Sequence, residues 1–395
     1  MIPARRERFN QEFSLLRYRH FKSAVGRRAG VEIEFRLCET PCFFPSSLLE
    51  RLVEVSQELV GQLFRNSEYL AAADAIVPPA FQLASRETRP TFLCVDFGLI
   101  KTETGFEGRL VELQAFPSLY GFQLALAETA REWYHLDDLE LFLGGLTREQ
   151  YVDTVGRAIL NGHDPARVVL MEIDPARQKT RPDFEVTRQI WDVRAIDVRA
   201  VIKRGRKLFY RRDGVETPIE RIYNRVIPDE LIRSGLKLPF DYRDELDVEW
   251  AGGPDWFFRI SKFSIPWLRH PWVPLTHYLS NMGGLPPDRD EWLLKPLFSF
   301  AGGGIIFAPS DLDLGRIPFE ARSQYVLQRR VHFTPVIDTP HGPTQAEIRI
   351  MMVRDGDSYR AVMPLVRMSR GKMIGVDHNK GFEWVGAAAA LIERD

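Results

Sequence analysis

Two strand-like runs in close succession constrain the fold most: "TFLCVDFGLI" (91–100) and "RLVELQAFPS" (109–118), joined by "KTETGFEG", which has the Gly and polar content of a hairpin turn. Side chains alternate across a strand, so Glu112 and Gln114 share one side while Val111, Leu113 and Ala115 take the other. Paired antiparallel, the two runs bring Asp96, Glu112 and Gln114 together. Two carboxylates and an amide oxygen are hard ligands, the set that suits Mg²⁺ rather than zinc or copper. A solvated sheet face is the competing reading, because polar residues at period two ordinarily face water.

A chain of 395 residues is long enough for two or three domains, and a net charge of -1 gives no case for nucleic acid or an anionic membrane as partner. Cys38, Cys42 and Cys94 cannot all pair internally, and "CETPC" has no second Cys/His pair nearby to complete a zinc site, so reduced thiols are expected. "MIPARRERFNQEF" is charged and lacks the apolar segment of a signal peptide, and no apolar run is long enough to span a bilayer. The expected location is cytoplasmic.

Residues 1–90 alternate helical patterns with proline breaks, most clearly in "SLLERLVEVSQELVGQLF", whose apolar residues recur at three- and four-residue spacing. After the hairpin, "SLYGFQLALAETAREWY" and "TREQYVDTVGRAIL" read as helices. The stretch 164–201 reads as strand, loop, helix, strand, the start of a Rossmann-like βαβ unit without a GxGxxG. "KLFYRRDGVETPIERIYNRV" adds a hairpin on an Asp-Gly turn and a further strand. The class is α/β (α+β), divided into a helical region with the hairpin (1–150), a βαβ region (151–254) and a strand-rich region (255–395) that finishes in a short Ala-rich helix, "GAAAALIE".

"EWLLKPLFSFAGGGIIFAP" is an apolar strand ending at Lys295-Pro296, a loop with Gly302, Gly303 and Gly304, and a second apolar strand. Glycines let backbone N–H groups approach a polyphosphate, and a lysine at the strand end supplies a mobile charge. No GK[ST] follows, so this is not a Walker loop; a flexible turn is the plain alternative. "SQYVLQRRV" places Gln328 near a strand end, and "AEIRIMMVRDGDSYRAVMPLVRMSR" is a hairpin carrying Glu347, Arg349 and Arg367.

This order of pieces resembles the ATP-grasp family of carboxylate–amine ligases. Lys262, in "ISKFSIPWLRHPWVPLTHYL", stands in the place of the family's first lysine and Lys295 in that of the second. Gly302 to Gly304 look like the phosphate lid, and Gln328 through Val331 like the adenine hinge. Glu347-Ile348-Arg349, Arg367 and Asn379 resemble the remaining signatures; His378 beside Asn379 reads as structural. The family's closing metal strands, "DF…E-x-N-x-x-P", are matched by "VDFGLI…VELQAFPS" near the start, so the chain looks circularly permuted, similar to the glutathionylspermidine synthase and eukaryotic-type glutathione synthetase branches. The resemblance covers residues 91–120 and 255–395, with a looser likeness of 165–250 to the pre-ATP-grasp domain.

The resemblance implies ATP and Mg²⁺ as cofactors and small-molecule carboxylate and amine substrates. It implies Lys262, Lys295, Gly302, Gly303, Gly304, Gln328, Val331 and Asn379 on the nucleotide, Asp96, Glu112 and Gln114 on metal, and Arg349 or Arg367 on the acyl phosphate. Two departures stand out: Gln114 replaces Asn, and Cys94 occupies a position where many members carry an arginine. Arg221, Tyr223 and Arg225 read either as a dock for acidic substrates or as a solvated face. A kinase on the same fold, and a nucleotide-binding regulatory chain with a decayed site, remain alternatives. The helices of 1–90 suit a dimer interface or a substrate lid, and their sequence does not choose.

Overall fold

The computed structural model describes residues 2–394 except 86, 104, 300, 301, 372–378 and 380, so His378 lies outside the described residues. The N-terminal region forms α1 (Pro3–Gln11), α2 (Leu15–Ala29), a short strand β1 (Cys42–Pro45), α3 (Ser46–Arg65) and α4 (Ser67–Ala75). Ser14 caps α2 by accepting the Arg17 N–H, and Gly30 ends it in the left-handed region at φ 73°. The α3 spacing turns Leu48, Leu52, Val55, Leu59 and Leu63 into one buried stripe, as its periodicity predicts.

The two acid-bearing runs form β2 (Phe92–Thr102) and β3 (Gly105–Gln114), followed by α5 (Tyr120–Tyr134) and α6 (Arg148–Leu160). The expected βαβ unit is β4 (Val168–Glu172), α7 (Arg181–Trp191) and β5 (Arg194–Asp197), with its strands parallel. A meander of β6 (Ile202–Arg204), β7 (Lys207–Arg212) and β8 (Val215–Ile219) turns at Asp213-Gly214. Then β9 (Arg221–Asn224) and β10 (Glu249–Ala251) join the parallel sheet in the order β10-β9-β4-β5. A smaller antiparallel sheet, ordered β11-β14-β12-β13, is built from β11 (Thr276–Tyr278), β12 (Trp292–Pro296), β13 (Ile306–Phe307) and β14 (Tyr325–Arg329).

The chain closes with the long hairpin β15 (Gln345–Asp355) and β16 (Ser358–Ser369), then β17 (Gly386–Ala388) and β18 (Ala390–Glu393). The Ala-rich helix expected over "GAAAALIE" is therefore wrong: the segment is two short strands. Tertiary packing overrides alanine's helix propensity here. Ala388, Ala389, Ala390 and Leu391 are buried, β18 pairs in parallel with β1, and a Cβ on Gly386 would stand 2.5 Å from the Arg36 carbonyl oxygen. Only small side chains fit so close to a neighbouring backbone.

A five-stranded antiparallel sheet, ordered β17-β16-β15-β2-β3, forms the centre. One face, through Val95, Phe97, Leu99, Ile348 and Ile350, packs in the same core as α3. The other is divided along its length: Phe92, Met351 and Val353 meet the core shared with α2, α5 and α6, while Asp96, Glu347, Arg349 and Arg367 occupy the remaining part. Among the described residues, no helix is long and apolar enough to cross a membrane.

Strict alternation fails at one point. Asp96 pairs with Glu112 but Phe97 pairs with Leu110, so Val111 is the extra residue of a β-bulge. Leu110 is buried beside Leu113, and Val111, expected on the core side, is only partly covered. The bulge keeps Glu112 beside Asp96 while admitting Leu110 to the core.

Candidate functional site

Register alone assembles an acid–arginine cluster. Across the ladders Asp96 faces Glu112 on one side and Arg349 on the other, and Glu347 faces Arg367. Arg349 grips Asp96 with two bonds, Nε to Oδ1 at 2.7 Å and Nη2 to Oδ2 at 2.6 Å, the fork geometry that a guanidinium offers a carboxylate. Its Nη1 donates to Ser118 Oγ at 3.0 Å, and Arg367 Nη2 donates to Asp96 Oδ2 at 2.8 Å while also lying against Glu347. Burial opposes the Arg349 charge, yet Asp96 beside it raises that guanidinium's affinity for its proton well above the usual value.

Glu347 behaves differently. Burial pushes its carboxyl up to about 7, Arg367 pulls it down, and the neighbouring charges of Asp96 and Glu112 push it up again.

The small sheet presents the opposite charge. Lys295, on β12, is fully covered and donates to the Oε1 of Gln328 on β14. Burial and then the charge of Lys262 lower its ammonium to about 8, while Glu112 and Glu347 resist. Lys262 donates to the Ser299 carbonyl at 2.8 Å; burial lowers it too, against the pull of Glu112 and Asp229. Both lysines thus feel Glu112 on the large sheet. Four carboxylates, Asp96, Glu112, Asp229 and Glu347, act on four cations, Lys262, Lys295, Arg349 and Arg367, and burial holds Glu347 toward its neutral form, a balance that suits an added anion.

The remaining residues divide. Gln328 is buried with Nε2 unpartnered among the described residues, a donor aimed at no protein acceptor. Gly302 and Gly304 take φ 76° and 72°, which glycine adopts without strain, and a Cβ on Gly304 would approach Pro296 to 2.9 Å. Gly303 is exposed between them, and Val331 is half-buried just past β14. Asn379 Oδ1 accepts from Ser369 Oγ at 2.9 Å and from the backbone N–H groups of Arg370 and Gly371, tying down the end of β16.

For a hard cation, Glu112 and Gln114 fit. The amide of Gln114 donates to Glu112 Oε1, which leaves Gln114 Oε1 and Glu112 Oε2 without hydrogen-bond partners among the described residues. Asp96 has both oxygens engaged by arginine, so it would first have to release one. No group of three or more His, Cys, Asp or Glu side chains arranged to hold a metal occurs among the described residues.

Cys94 is inert: it is fully buried and its thiol is pushed up to about 11, first by burial. The solvated-face reading of Arg221, Tyr223 and Arg225 fails, since all three are buried. Arg221 caps α6 by donating to the Ile159 and Ala158 carbonyls at 2.9 and 3.0 Å, and Arg225 pairs with Asp183 beneath the Phe184 ring. Sequence reasoning missed Ser118, Ser299 and Phe333. Ser118 had a weak signal as the polar residue closing "ELQAFPS". Phe333 had none, although a Cβ on Gly98 would fall 1.7 Å from its ring.

The architecture is a mixed α/β one of several sheets, and an α+β fold of this kind occurs among solved structures. "A glutathione synthetase like-effector (GSS30) from Globodera pallida", determined in its apoform, matches with a TM-score of 0.60 over 96% of this chain and 97% of that chain, at 12% sequence identity. At that identity the likeness is one of fold. No family model matches the sequence, and no curated protein does.

Proposed function

We propose that the chain is an ATP-dependent ligase that joins a small carboxylate to an amine through an acyl phosphate, on an ATP-grasp arrangement whose metal strands β2 and β3 precede the nucleotide-binding part in sequence. The observation that carries this reading is that Lys295 on the small sheet and Lys262 beside it both act on Glu112 of the central sheet, where Glu347, which also acts on Lys295, faces Arg367. The glutathione synthetase-like neighbour supports it at the level of fold.

In this reading Lys262 and Lys295 take the phosphates, Gly302 to Gly304 fold over them, and Gln328 Nε2 and the backbone near Val331 meet the base. Glu112 and Gln114, with Asp96 once an arginine lets go, would hold Mg²⁺, which would neutralise phosphate charge there. The substrate carboxylate attacks the γ-phosphorus and ADP departs; the amine then attacks the acyl carbon, loses a proton, and phosphate leaves. Arg349 and Arg367 hold the anionic intermediate in place, so the chain's contribution is positioning and charge complementarity rather than a covalent nucleophile. The division into 1–150, 151–254 and 255–395 belongs to the same proposal.

A second reading is a nucleotide-binding chain without turnover, favoured by the inert Cys94 where many ligases carry arginine.

The test begins with calorimetric titration of a non-hydrolysable ATP analogue, with and without Mg²⁺, into wild type and Glu112→Ala. Metal-dependent binding that weakens at least tenfold in the variant is expected. Panels of acids and amines are then screened for ADP and phosphate. Phosphate release that needs both partners supports the ligase, ADP without phosphate points to a kinase, and tight binding with no turnover supports the second reading. Binding indifferent to both metal and Glu112 would overturn the site.

A further inference from the structure

The near-zero net charge of the whole chain conceals a local excess. Residues 1–30 hold eight Lys and Arg against Glu7 and Glu12, and α2 carries no acid at all. Some of these cations are answered within the fold: Arg5 by Asp138 and Glu393, Arg8 by Glu12, Arg28 by Glu128 and Glu132. Arg17 donates to the Trp133 carbonyl and lies over the Tyr134 ring.

Arg19, Lys22 and Arg27 are exposed and have no acidic partner among the described residues. The contrast with the β6–β8 meander is direct, since there Lys203, Arg204, Arg206 and Arg212 each meet a carboxylate.

Helical geometry puts these groups on one face. At about 100° per residue, Leu15, Leu16, Arg19, His20, Lys22, Ser23 and Arg27 fall within an arc of roughly 160°, opposite the buried Tyr18, Phe21, Val25 and Ala29. The arc opens with two adjacent leucines exposed by 54% and 63%. Nothing in the described structure covers them. The cavity of about 200 Å³ beside the start of α2 includes Glu12 and Asp138 in its walls, which already match its Arg8 and Arg5. The open face of α2 is not.

We infer that the exposed face of α2 docks this protein on an anionic phospholipid surface, with Leu15 and Leu16 entering the headgroup boundary and Arg19, Lys22 and Arg27 lying against lipid phosphates. Charge complementarity selects an anionic partner. The leucine pair selects lipid over nucleic acid, because a nucleic acid offers it no apolar phase and the one ring of the arc, His20, already lies edge-on to Trp133. Attachment of this kind is peripheral, reversible and weakened by salt.

The test is co-sedimentation of the full chain with phosphatidylcholine vesicles containing 0 or about 30% phosphatidylserine, with and without added salt. Binding to the anionic vesicles alone, released by salt, is expected. Arg19→Glu with Lys22→Glu and Arg27→Glu should cut the partition coefficient by at least about a hundredfold, at about one kcal/mol for each of the three cations lost with each 1.4 kcal/mol a factor of ten. Leu15→Ser with Leu16→Ser should lower it separately. None of these exposed positions contributes to the fold's core, so an unchanged circular dichroism melt verifies folding. Failure of wild type to bind anionic vesicles, binding unaffected by both variants, or equal displacement by a short RNA duplex would each overturn the inference.

Discussion

Asp96→Asn is the substitution that most directly tests the electrostatic centre. Asp96 is fully buried and receives three charge-assisted hydrogen bonds, two from Arg349 and one from Arg367. The amide preserves shape, removes the negative charge and turns an N–H₂ toward one guanidinium. Removing one member of a buried pair costs about 3–5 kcal/mol, because the partner charge is left in the interior. Glu347 softens the loss: the charge of Asp96 is among the causes that raise its carboxyl toward 7, so without Asp96 it ionises more readily and faces Arg367 as an anion. The lower end of the range, about 3 kcal/mol, is therefore expected. Urea unfolding followed by tryptophan fluorescence measures it, as a fall in midpoint with the slope unchanged. A loss below about 1 kcal/mol would refute the view that this carboxylate balances the arginines.

Lys295→Met should weaken binding of the ATP analogue at least tenfold in calorimetry while shifting stability by less than about 1 kcal/mol, since burying the ammonium is itself unfavourable. Gly98→Ala places a methyl within the Phe333 ring and should cost about 1–3 kcal/mol, with Phe333→Leu in the same chain restoring part of it in the same urea assay. Glu172 is pushed up to about 8 from 4.5, by burial first, so between those pH values the folded chain holds a proton that the unfolded chain has released. Stability should therefore fall as pH rises through that window, and Glu172→Gln should flatten the fall in unfolding midpoints taken at pH 5, 6.5 and 8.

Much of the site was legible because it depends on strand periodicity. Asp96, Glu112 and Gln114 were placeable from alternation and a hairpin turn, and the Asp-Gly turns of β7–β8 and the βαβ unit follow from equally local rules. What could not be read depends on contacts between distant segments. "GAAAALIE" has the composition of a helix and becomes strand because 390–393 pair with β1 and Gly386 lies against the Arg36 backbone. Arg221 and Arg225 look solvated in sequence, but one caps α6 and the other meets Asp183, partners that no spacing announces. The α2 surface was hidden by averaging, since a chain-wide charge near zero is compatible with a strongly basic first thirty residues.

The extra residue at Val111 has a consequence for how such a chain can diverge. It acts as a phase shifter between two demands with different periods of tolerance: a core that accepts any apolar side chain of suitable volume, and a charged face that accepts almost no displacement. Were Val111 paired in regular alternation, without the bulge, Leu110 and Glu112 would share one face, and either Leu110 would leave the core or Glu112 would rotate away from Asp96. Insertions between Thr102 and Gly105, the pair that closes the hairpin, carry no such penalty. Length variation in this hairpin should therefore collect at its tip, and a one-residue change beside Leu110 should go with gain or loss of the bulge.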